Sequence, residues 1–453
     1  MAGTHTTFSD ALSREPLKAF SITTFAICML VLICDGMDAQ LLGIVAPIVI
    51  EEFGTDRSTF GIAMSAALVG FGLGSWAGGW LGDRVGRRYS LALATVVFSL
   101  ATIGASWADG VWDMAAWRLV GGLGFGSAYA NAITLAGEWL PDRWRPVGVT
   151  TISVGTPAGG LVVAALAPTL VEALGWRGAF VVIGGGTLLV VLLIVGVLRD
   201  SPSFLLARGR PDEAHKAARK VLDQDVELVP ERHASDRGGV SIGVFDRSNL
   251  RVNLGIGISF AASALVAYAI LNWTTTFLTA EGFTFESASY AVSVAGLTSI
   301  AASIAVGLLI QRLGSRLVIV AISLTLLVTL IALATLLETM IGVPSPRDQL
   351  LTVILIGIAA ALFSAGIASM YAVMTHAYPS SCRSAGIGFG IFVGRVGAVA
   401  ASGLGGALID LGEGSLLPFF GVLCVGSVLI LAAAVIVDRH VEPARRRATV
   451  AVA

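Results

Sequence analysis

Two acidic residues inside a long apolar stretch are the first residues whose placement could do chemistry. Asp35 and Asp38 lie in residues 34–40, CDGMDAQ. A spacing of three residues puts both carboxylates on one face of a helix, and Gly36 between them allows close helix approach. Two acids so close in a medium of low dielectric resist ionising together, so one of them could take up and release a proton. The alternative is that both only pair with an arginine and hold helices together.

Two arginines also lie within apolar stretches. Arg118 is near the start of residues 112–137, and Arg395 is about twelve residues into 384–409. At 1.5 Å per residue, Arg395 would lie about 18 Å into its helix, near the middle of a bilayer. Arginine keeps its charge, and its planar guanidinium fits a carboxylate. Each arginine therefore either binds an anionic substrate or pairs internally with Asp35 or Asp38.

Aromatic and amide residues within the apolar stretches could line a cavity for a ring. Buried amides in a membrane require hydrogen-bond partners, which favours the two asparagines of this set. The candidates are Asn131, Tyr268, Asn272 and Trp273, together with Tyr129, Phe363 and Tyr371.

The composition indicates which elements position these side chains. The 453 residues are 55% hydrophobic and only 13% charged, against about 25% charged in an average soluble protein. This excludes a disordered chain and an ordinary soluble enzyme, and a net charge of -1 argues against nucleic-acid binding. The four cysteines form no C-x-x-C pair and no Walker sequence occurs, so we expect no metal, cofactor or ATP site.

Twelve stretches are long and apolar enough to cross a bilayer, which needs about 20 apolar residues in a helix. The sequence therefore predicts an all-α membrane protein with twelve transmembrane helices. The predicted spans are 20–49, 58–81, 89–108, 112–137, 147–170, 178–198, 251–279, 286–311, 316–337, 350–376, 384–409 and 415–437.

The distribution of lysine and arginine predicts the orientation. Of the 29 such residues, 24 fall in segments on one side, and only Arg57, Arg177 and Arg347 fall on the other. Cytoplasmic loops carry the excess of positive charge. Both termini and the long central loop are therefore predicted to be cytoplasmic.

The central polar loop divides the chain into two six-helix halves. It contains a predicted helix over residues 211–222, with acidic residues in its first turn. The predicted parts are an N-terminal tail (1–19), an N-terminal six-helix bundle (20–198), a central loop (199–250), a C-terminal six-helix bundle (251–437) and a C-terminal tail (438–453).

The two halves share internal repeats. Residues 79–91, GWLGDRVGRRYSL, align with residues 307–319, GLLIQRLGSRLVI, and Pro141, Arg145 and Gly148 align with Pro379, Arg383 and Gly386. Such duplication is typical of secondary transporters, whose sites lie near the bilayer midplane between the repeats.

The first repeat segment resembles the signature of the major facilitator superfamily, Gly-x-Leu-x-Asp-Arg-x-Gly-Arg-Arg/Lys. Gly79, Leu81, Asp83, Arg84, Gly86, Arg87 and Arg88 match it, whereas the second copy has Gln311 where the family commonly has an acid. A half-buried carboxylate at a cytoplasmic mouth must be paired, so Asp83 could lock helix ends in one state and release them in another. The predicted cytoplasmic gate comprises Asp83, Arg84, Arg87, Glu138, Arg145 and Arg383.

The D-G-x-D pattern of residues 35–38, with that loop signature and Arg395, resembles the aromatic acid:proton symporters of the superfamily. The resemblance implies a bacterial inner-membrane carrier that imports a benzoate-type acid with protons by alternating access. It implies proton coupling by Asp35 and Asp38, and roles in uptake for Arg383 and Arg395. The expected partners are a small aromatic acid, protons and the lipid bilayer, with a monomeric chain.

An efflux antiporter is the alternative function. Residues 155–160, GTPAGG, partly resemble the glycine-proline motif of drug:proton antiporters. A membrane sensor would need an output domain, and the central loop is too small to supply an evident one.

Overall fold

The computed structural model of the chain describes residues 6–152, 154–223, 228–229, 243–340, 342–378 and 382–443, without the side chains of 146, 149, 150 and 383–385. The regular secondary structure of the described part is helical, apart from an isolated backbone bridge between Thr6 and Leu228. Its α-helices are α1 Phe8–Arg14, α2 Ala19–Phe53, α3 Arg57–Val85, α4 Arg87–Ala105, α5 Val111–Glu138, α6 Arg145–Ile152, α7 Gly155–Val197, α8 Pro202–Ala207, α9 Pro211–Ala218, α10 Leu250–Ala280, α11 Phe285–Leu313, α12 Ser315–Thr339, α13 Pro346–Ala377, α14 Arg383–Leu411 and α15 Leu417–Ile436.

Eleven of the described helices are long and apolar enough to cross a membrane. One of the eleven, α7, spans 43 residues and contains most of both the fifth and the sixth predicted spans, divided by a kink. The backbone of α7 leaves helical geometry at Gly175, with φ 68° and ψ 173°. The predicted start of the fifth span at residue 147 is wrong, because residues 147–152 belong to the separate short helix α6.

The long helices pack in two groups. In the first group α2 packs on α7, and α5 packs on α3 and α4; in the second, α10 packs on α14 and α15, and α13 packs on α11 and α12. In the described part of the chain, the main contacts between the groups are α2 with α10, α3 with α14 and α7 with α11. A surface between the groups is therefore bordered by helices from both halves of the chain.

Small residues allow the closest of these helix contacts. Gly74 on α3 lies against the backbone of Leu123 on α5, and Gly126 on α5 lies against the backbone of Phe71 on α3. A Cβ at either glycine would overlap a carbonyl oxygen of the facing helix. Without a hydrophobic driving force in lipid, such backbone contact supplies the packing energy.

The repeat predicted from the sequence has a structural counterpart. Gly86 ends α3 with φ 110°, and Gly314 ends α11 with φ 84°, and in each case a new helix begins at the next residue. A positive φ costs glycine little, whereas other residues adopt it rarely. The two loop motifs therefore make the same turn in the two halves.

The N-terminal segment carries a helix that the sequence did not predict. Phe8 of α1 and Phe20 of α2 pack edge-on against Trp139, with ring centroids 5.7 and 4.7 Å away. Lys18 pairs with Asp223 at 2.5 Å. The predicted helix at 211–222 is confirmed as α9, which is four residues shorter. We call the end of the molecule that carries these segments the terminal face, and the opposite end the distal face.

Candidate functional site

Asp38 is held in a buried ion pair. Its carboxylate accepts hydrogen bonds from Arg118 Nη1 on α5 and from Thr102 Oγ1 on α4, both at 2.6 Å. The side chains of Asp38 and Arg118 are 1% and 3% exposed. Arg118 also donates to the Asp38 carbonyl oxygen at 3.2 Å. This favours internal pairing over substrate binding for Arg118.

Asp35 has a different environment, although it is also buried. Its carboxylate accepts one hydrogen bond at 3.1 Å, from Thr156 Oγ1 on α7. No lysine, arginine or histidine of the described part lies within ion-pair distance of it. Gly36 packs directly on the Thr156 backbone, so α2 and α7 touch here. The two acids therefore face different helices, and only Asp38 has a bonded cation.

Arg395 lies on α14 among aromatic rings. Its guanidinium carbon is 3.9 Å from the ring centre of Phe71 on α3, and its Nη1 donates to Tyr268 Oη on α10 at 2.9 Å. Within the described residues Arg395 forms no salt bridge, and its side chain is half-buried. The alternative for Arg395, internal pairing with Asp35 or Asp38, is not formed among the described residues.

Two further tyrosines complete the surroundings of Arg395. Tyr129 on α5 packs against Phe71, with ring centroids 5.6 Å apart, and Tyr371 on α13 packs edge-on against Phe260 at 5.4 Å. Both tyrosines lie near Arg395. We call the group Phe71, Tyr129, Tyr268, Tyr371 and Arg395 the Arg395 cluster.

The Arg395 cluster and the buried acids are neighbours. Asp35 lies within electrostatic range of Arg395 and Arg118. The Asp35 carboxylate, whose charge a proton can neutralise, therefore lies near the Arg395 guanidinium, which keeps its charge. This arrangement can link the charge state of Asp35 to the binding of an anion at Arg395.

The structure does not bring three of the predicted lining residues to the Arg395 cluster. The Asn131 amide donates to the carbonyl oxygens of Gly78 and Ser127 and to Ser90 Oγ, so it holds α5 against α3 and α4. Asn272 donates to Ser402 at 2.7 Å, and Trp273 is fully buried against Gly405. These side chains serve helix packing.

Two residues of the site were missed by the sequence interpretation. Phe71 stands in a glycine-rich stretch with nothing to mark it as a ring that contacts Arg395. Thr156 lies in the GTPAGG segment, which the sequence related only to antiporters. A hydroxyl beside glycines in a membrane helix is the signal that could have identified Thr156 as a partner of a buried acid.

The predicted gate residues form a cluster at the terminal face. Arg87 binds the carboxylates of Asp83 and Glu138, at 2.6 and 3.0 Å. Arg84 stacks over Trp80, and Arg145 pairs with Asp142 at 3.1 Å. All of these contacts lie within the first helix group.

Arg383, the remaining predicted gate residue, begins α14, and its side chain lies outside the described residues.

Asp200 joins this gate cluster and was not predicted. It follows α7, is 8% exposed, and accepts a hydrogen bond from the Arg88 backbone N–H at 2.9 Å, at the start of α4. Burial raises the pKa of its carboxyl, and the Arg88 N–H and the nearby Arg88 and Arg87 charges oppose that rise. The hydrogen bond of Asp200 thus connects the end of α7 to the start of α4.

Hydrogen bonds between the two helix groups lie on the distal side of Asp35, as far as the described residues show. Asp410 of α14 accepts from Arg57 Nη1 at 3.2 Å and from the Ser58 backbone N–H at 3.1 Å. Gln40 donates to the Leu271 carbonyl oxygen, and Thr275 donates to that of Gly43 at 2.6 Å. These bonds close the distal face.

The described residues contain no group of three or more histidine, cysteine or acidic side chains that could hold a metal ion. The site therefore consists of Asp35, which has no bonded cation among the described residues, the Asp38–Arg118 ion pair, and Arg395 among aromatic rings.

Comparison with known proteins identifies the family. The profile described as Major Facilitator Superfamily matches residues 28–361. The chain belongs to this superfamily. Its fold and family are those of a transporter, and it is a multi-pass membrane protein.

Among curated relatives, the chain is 28% identical to the gallate transporter of Pseudomonas putida, covering 98% of this chain and 96% of that protein. It is 29% identical to the 3-(3-hydroxy-phenyl)propionate transporter of Escherichia coli, covering 93% and 94%. The expected resemblance to aromatic acid transporters of the superfamily is confirmed by these relatives.

Solved structures confirm the fold. The partially occluded inward-open xylose transporter XylE from E. coli aligns with a TM-score of 0.69 at 18% identity, over 92% of this chain and 97% of that one. A bacterial homologue of the human lysosomal transporter Spinster, inward-facing and occupied, aligns with a TM-score of 0.68 at 15% identity, over 92% and 96%.

Proposed function

We propose that this protein imports an aromatic carboxylate together with protons by alternating access across a bacterial inner membrane. The observation that carries the proposal is Arg395, a cation that binds no carboxylate of the described residues and is surrounded by aromatic rings. A substrate carboxylate would bind its guanidinium, and the ring would pack among Phe71 and the tyrosines. The relatives named for gallate and hydroxyphenylpropionate support this substrate class.

Asp35 is the proposed proton carrier. A buried carboxylate without a bonded cation is costly when charged, so the proton-bound form is favoured until the site is hydrated. Asp38 is compensated by Arg118 and is the weaker candidate of the predicted pair. Neutralising Asp35 removes a charge that competes with the substrate carboxylate for Arg395, which couples proton uptake to acid binding.

The topology proposed for this cycle has twelve crossings, with both termini cytoplasmic. The break at Gly175 supports counting α7 as two crossings, because 43 helical residues would extend about 65 Å, twice the bilayer core. The terminal face is then cytoplasmic, and the bonds of Asp410 close the periplasmic side. The two groups, 20–198 and 251–437, would rock about the Arg395 cluster, with Asp83, Arg87 and Glu138 rearranging at the cytoplasmic side.

Transport in proteoliposomes tests the proposal. With acid outside, labelled 4-hydroxybenzoate or benzoate should accumulate inside; net export driven by the same gradient would instead support an antiporter. Asp35→Asn should abolish accumulation while exchange of labelled for unlabelled acid continues. Arg395→Ala should weaken acids by about tenfold to a hundredfold and neutral ring amides much less. Equal losses for acids and amides would refute a carboxylate site at Arg395.

A further inference from the structure

The hydroxyl of Thr156 does not make the hydrogen bond that threonines often make inside helices. Such a threonine donates to the carbonyl oxygen four residues earlier on its own helix, as Thr187 does to Ile183 at 2.8 Å. Thr156 is the second residue of α7, so no turn of that helix precedes it. Its hydroxyl donates instead to the Asp35 carboxylate at 3.1 Å, its one hydrogen bond among the described residues. The start of α7 at this point therefore leaves the hydroxyl available to Asp35.

Two glycines hold Thr156 beside Asp35. A Cβ at Gly36 of α2 would overlap the Thr156 carbonyl oxygen, and a Cβ at Gly159 of α7 would overlap the Ile33 carbonyl oxygen. The first turn of α7 therefore lies directly on the part of α2 that carries Asp35. Backbone packing thus sets the position of the hydroxyl relative to the carboxylate.

A hydroxyl suits an acid that gains and loses a proton. It can donate to a carboxylate, and it can accept from a carboxylic acid. A hydrogen bond to a charged group is stronger than one between neutral groups. The Thr156 hydroxyl can therefore bond Asp35 in both charge states, and its removal costs the charged state more than the protonated state.

We infer that Thr156 is a positioning residue for the proton step, whose hydroxyl bonds Asp35 in both charge states and sets the pH range over which protons enter with the acid. The inference rests on the proposed function, in which Asp35 carries the proton. Thr156 acts through Asp35 and needs no contact with the substrate. Substitutions of Thr156 leave the titratable and charged groups near Asp35 in place; these are Cys34 and Asp38 on α2, Arg118 and Tyr129 on α5, and Arg395 on α14.

The pH profile of uptake tests the role of Thr156. Initial rates of labelled 4-hydroxybenzoate uptake into proteoliposomes are measured over a series of pH values, with a constant pH difference across the membrane. Thr156→Val and Thr156→Ala should move the midpoint of the profile to higher pH by about 0.5–1 unit, because the charged form of Asp35 loses the stronger hydrogen bond. The maximal rate should fall, because Asp35 releases its proton less readily, while the KM for the acid at low pH stays close to that of the wild type.

Two further variants separate the hydroxyl from the shape of the side chain. Thr156→Ser keeps the hydroxyl and should keep the midpoint of the wild type. Thr329→Val is the matched control, since Thr329 is buried on α12 and its hydroxyl donates to the Thr325 carbonyl oxygen of its own helix at 2.8 Å. Its midpoint should also be that of the wild type. Exchange of labelled for unlabelled acid shows that each variant is folded and binds substrate.

The outcomes separate the role of Thr156 from the function on which it rests. If the wild type takes up the acid but the Val and Ala variants share its midpoint, or the Ser variant shifts with them, the role of Thr156 is overturned and the proposed function stands. Loss of exchange in both the Val and Ala variants would also overturn it, because the hydroxyl would then serve folding or substrate binding. If the wild type shows no proton-driven uptake, the proposed function fails and the inference fails with it.

Discussion

At the scale of single residues, two buried or half-buried arginines have different environments. Arg118 pairs with Asp38, whereas Arg395 lies among aromatic rings. Both were open candidates for substrate binding or internal pairing. The difference follows from rotation about each helix axis, because Arg118 points at α2 and Arg395 points at α3 and α10. Residue type and depth are readable in a sequence, but the rotation of one helix against another is not.

The Asp38–Arg118 pair leads to a prediction about stability. Asp38→Asn should lower the free energy of unfolding by about 3–5 kcal/mol, because it leaves the Arg118 charge buried and unpaired. The double variant Asp38→Asn with Arg118→Leu should recover most of that loss. Unfolding of the detergent-solubilised protein, followed by SDS titration, measures both changes.

Asp109→Asn serves as a control, since its side chain is 91% exposed and the change should stay within about 0.5 kcal/mol. A single Asp38→Asn variant as stable as the wild type would argue that Arg118 is satisfied by other groups.

At the scale of helices, the close packing of α3 against α5 can be tested with two glycines of α3. Gly74→Ala would drive a Cβ into the Leu123 carbonyl oxygen, so we expect a loss of about 1–3 kcal/mol in stability. Gly72→Ala, on the same helix, meets nothing within 4 Å and should be neutral or slightly stabilising. Melting temperatures of the two purified variants give the comparison, and equal values would contradict the packing described for α3.

Most of the helices were predictable because their apolar length is a property of the sequence alone. The predicted third and fourth spans, 89–108 and 112–137, lie close to α4 and α5. The sharp kink of α7 at Gly175 was not predictable, because an apolar stretch with a polar interruption normally indicates a loop. Nor was α1, since its apolar residues are buried by residues distant in the sequence, such as Trp139.

At the scale of the whole molecule, closure of the distal face can be tested by cross-linking the two helix groups. A Cβ built at Gly403 of α14 would lie 3.5 Å from Ser65 Cβ of α3, within the range for a disulfide. Oxidation of the Ser65→Cys and Gly403→Cys double variant should therefore form a cross-link, stop transport and be reversed by a reductant. Uptake before and after reduction measures the effect.

Gly72→Cys with Gly403→Cys is the matched control and should not cross-link, because Gly72 has no neighbour within 4 Å. Full transport by the oxidised Ser65–Gly403 variant would show that the distal face need not open during the cycle.

The contacts of the N-terminal segment at the terminal face have a consequence for the synthesis of the protein. The described partners of residues 6–18 come from residue 229 or earlier, and they include Trp139, Asp223 and the backbone at Leu228 and Val229. Chains emerge from the ribosome N-terminus first, and early domains fold as units. The N-terminal half can thus complete the packing of its N-terminal segment while α10 is still being synthesised. The C-terminal half then assembles in the membrane against an N-terminal half that is already folded.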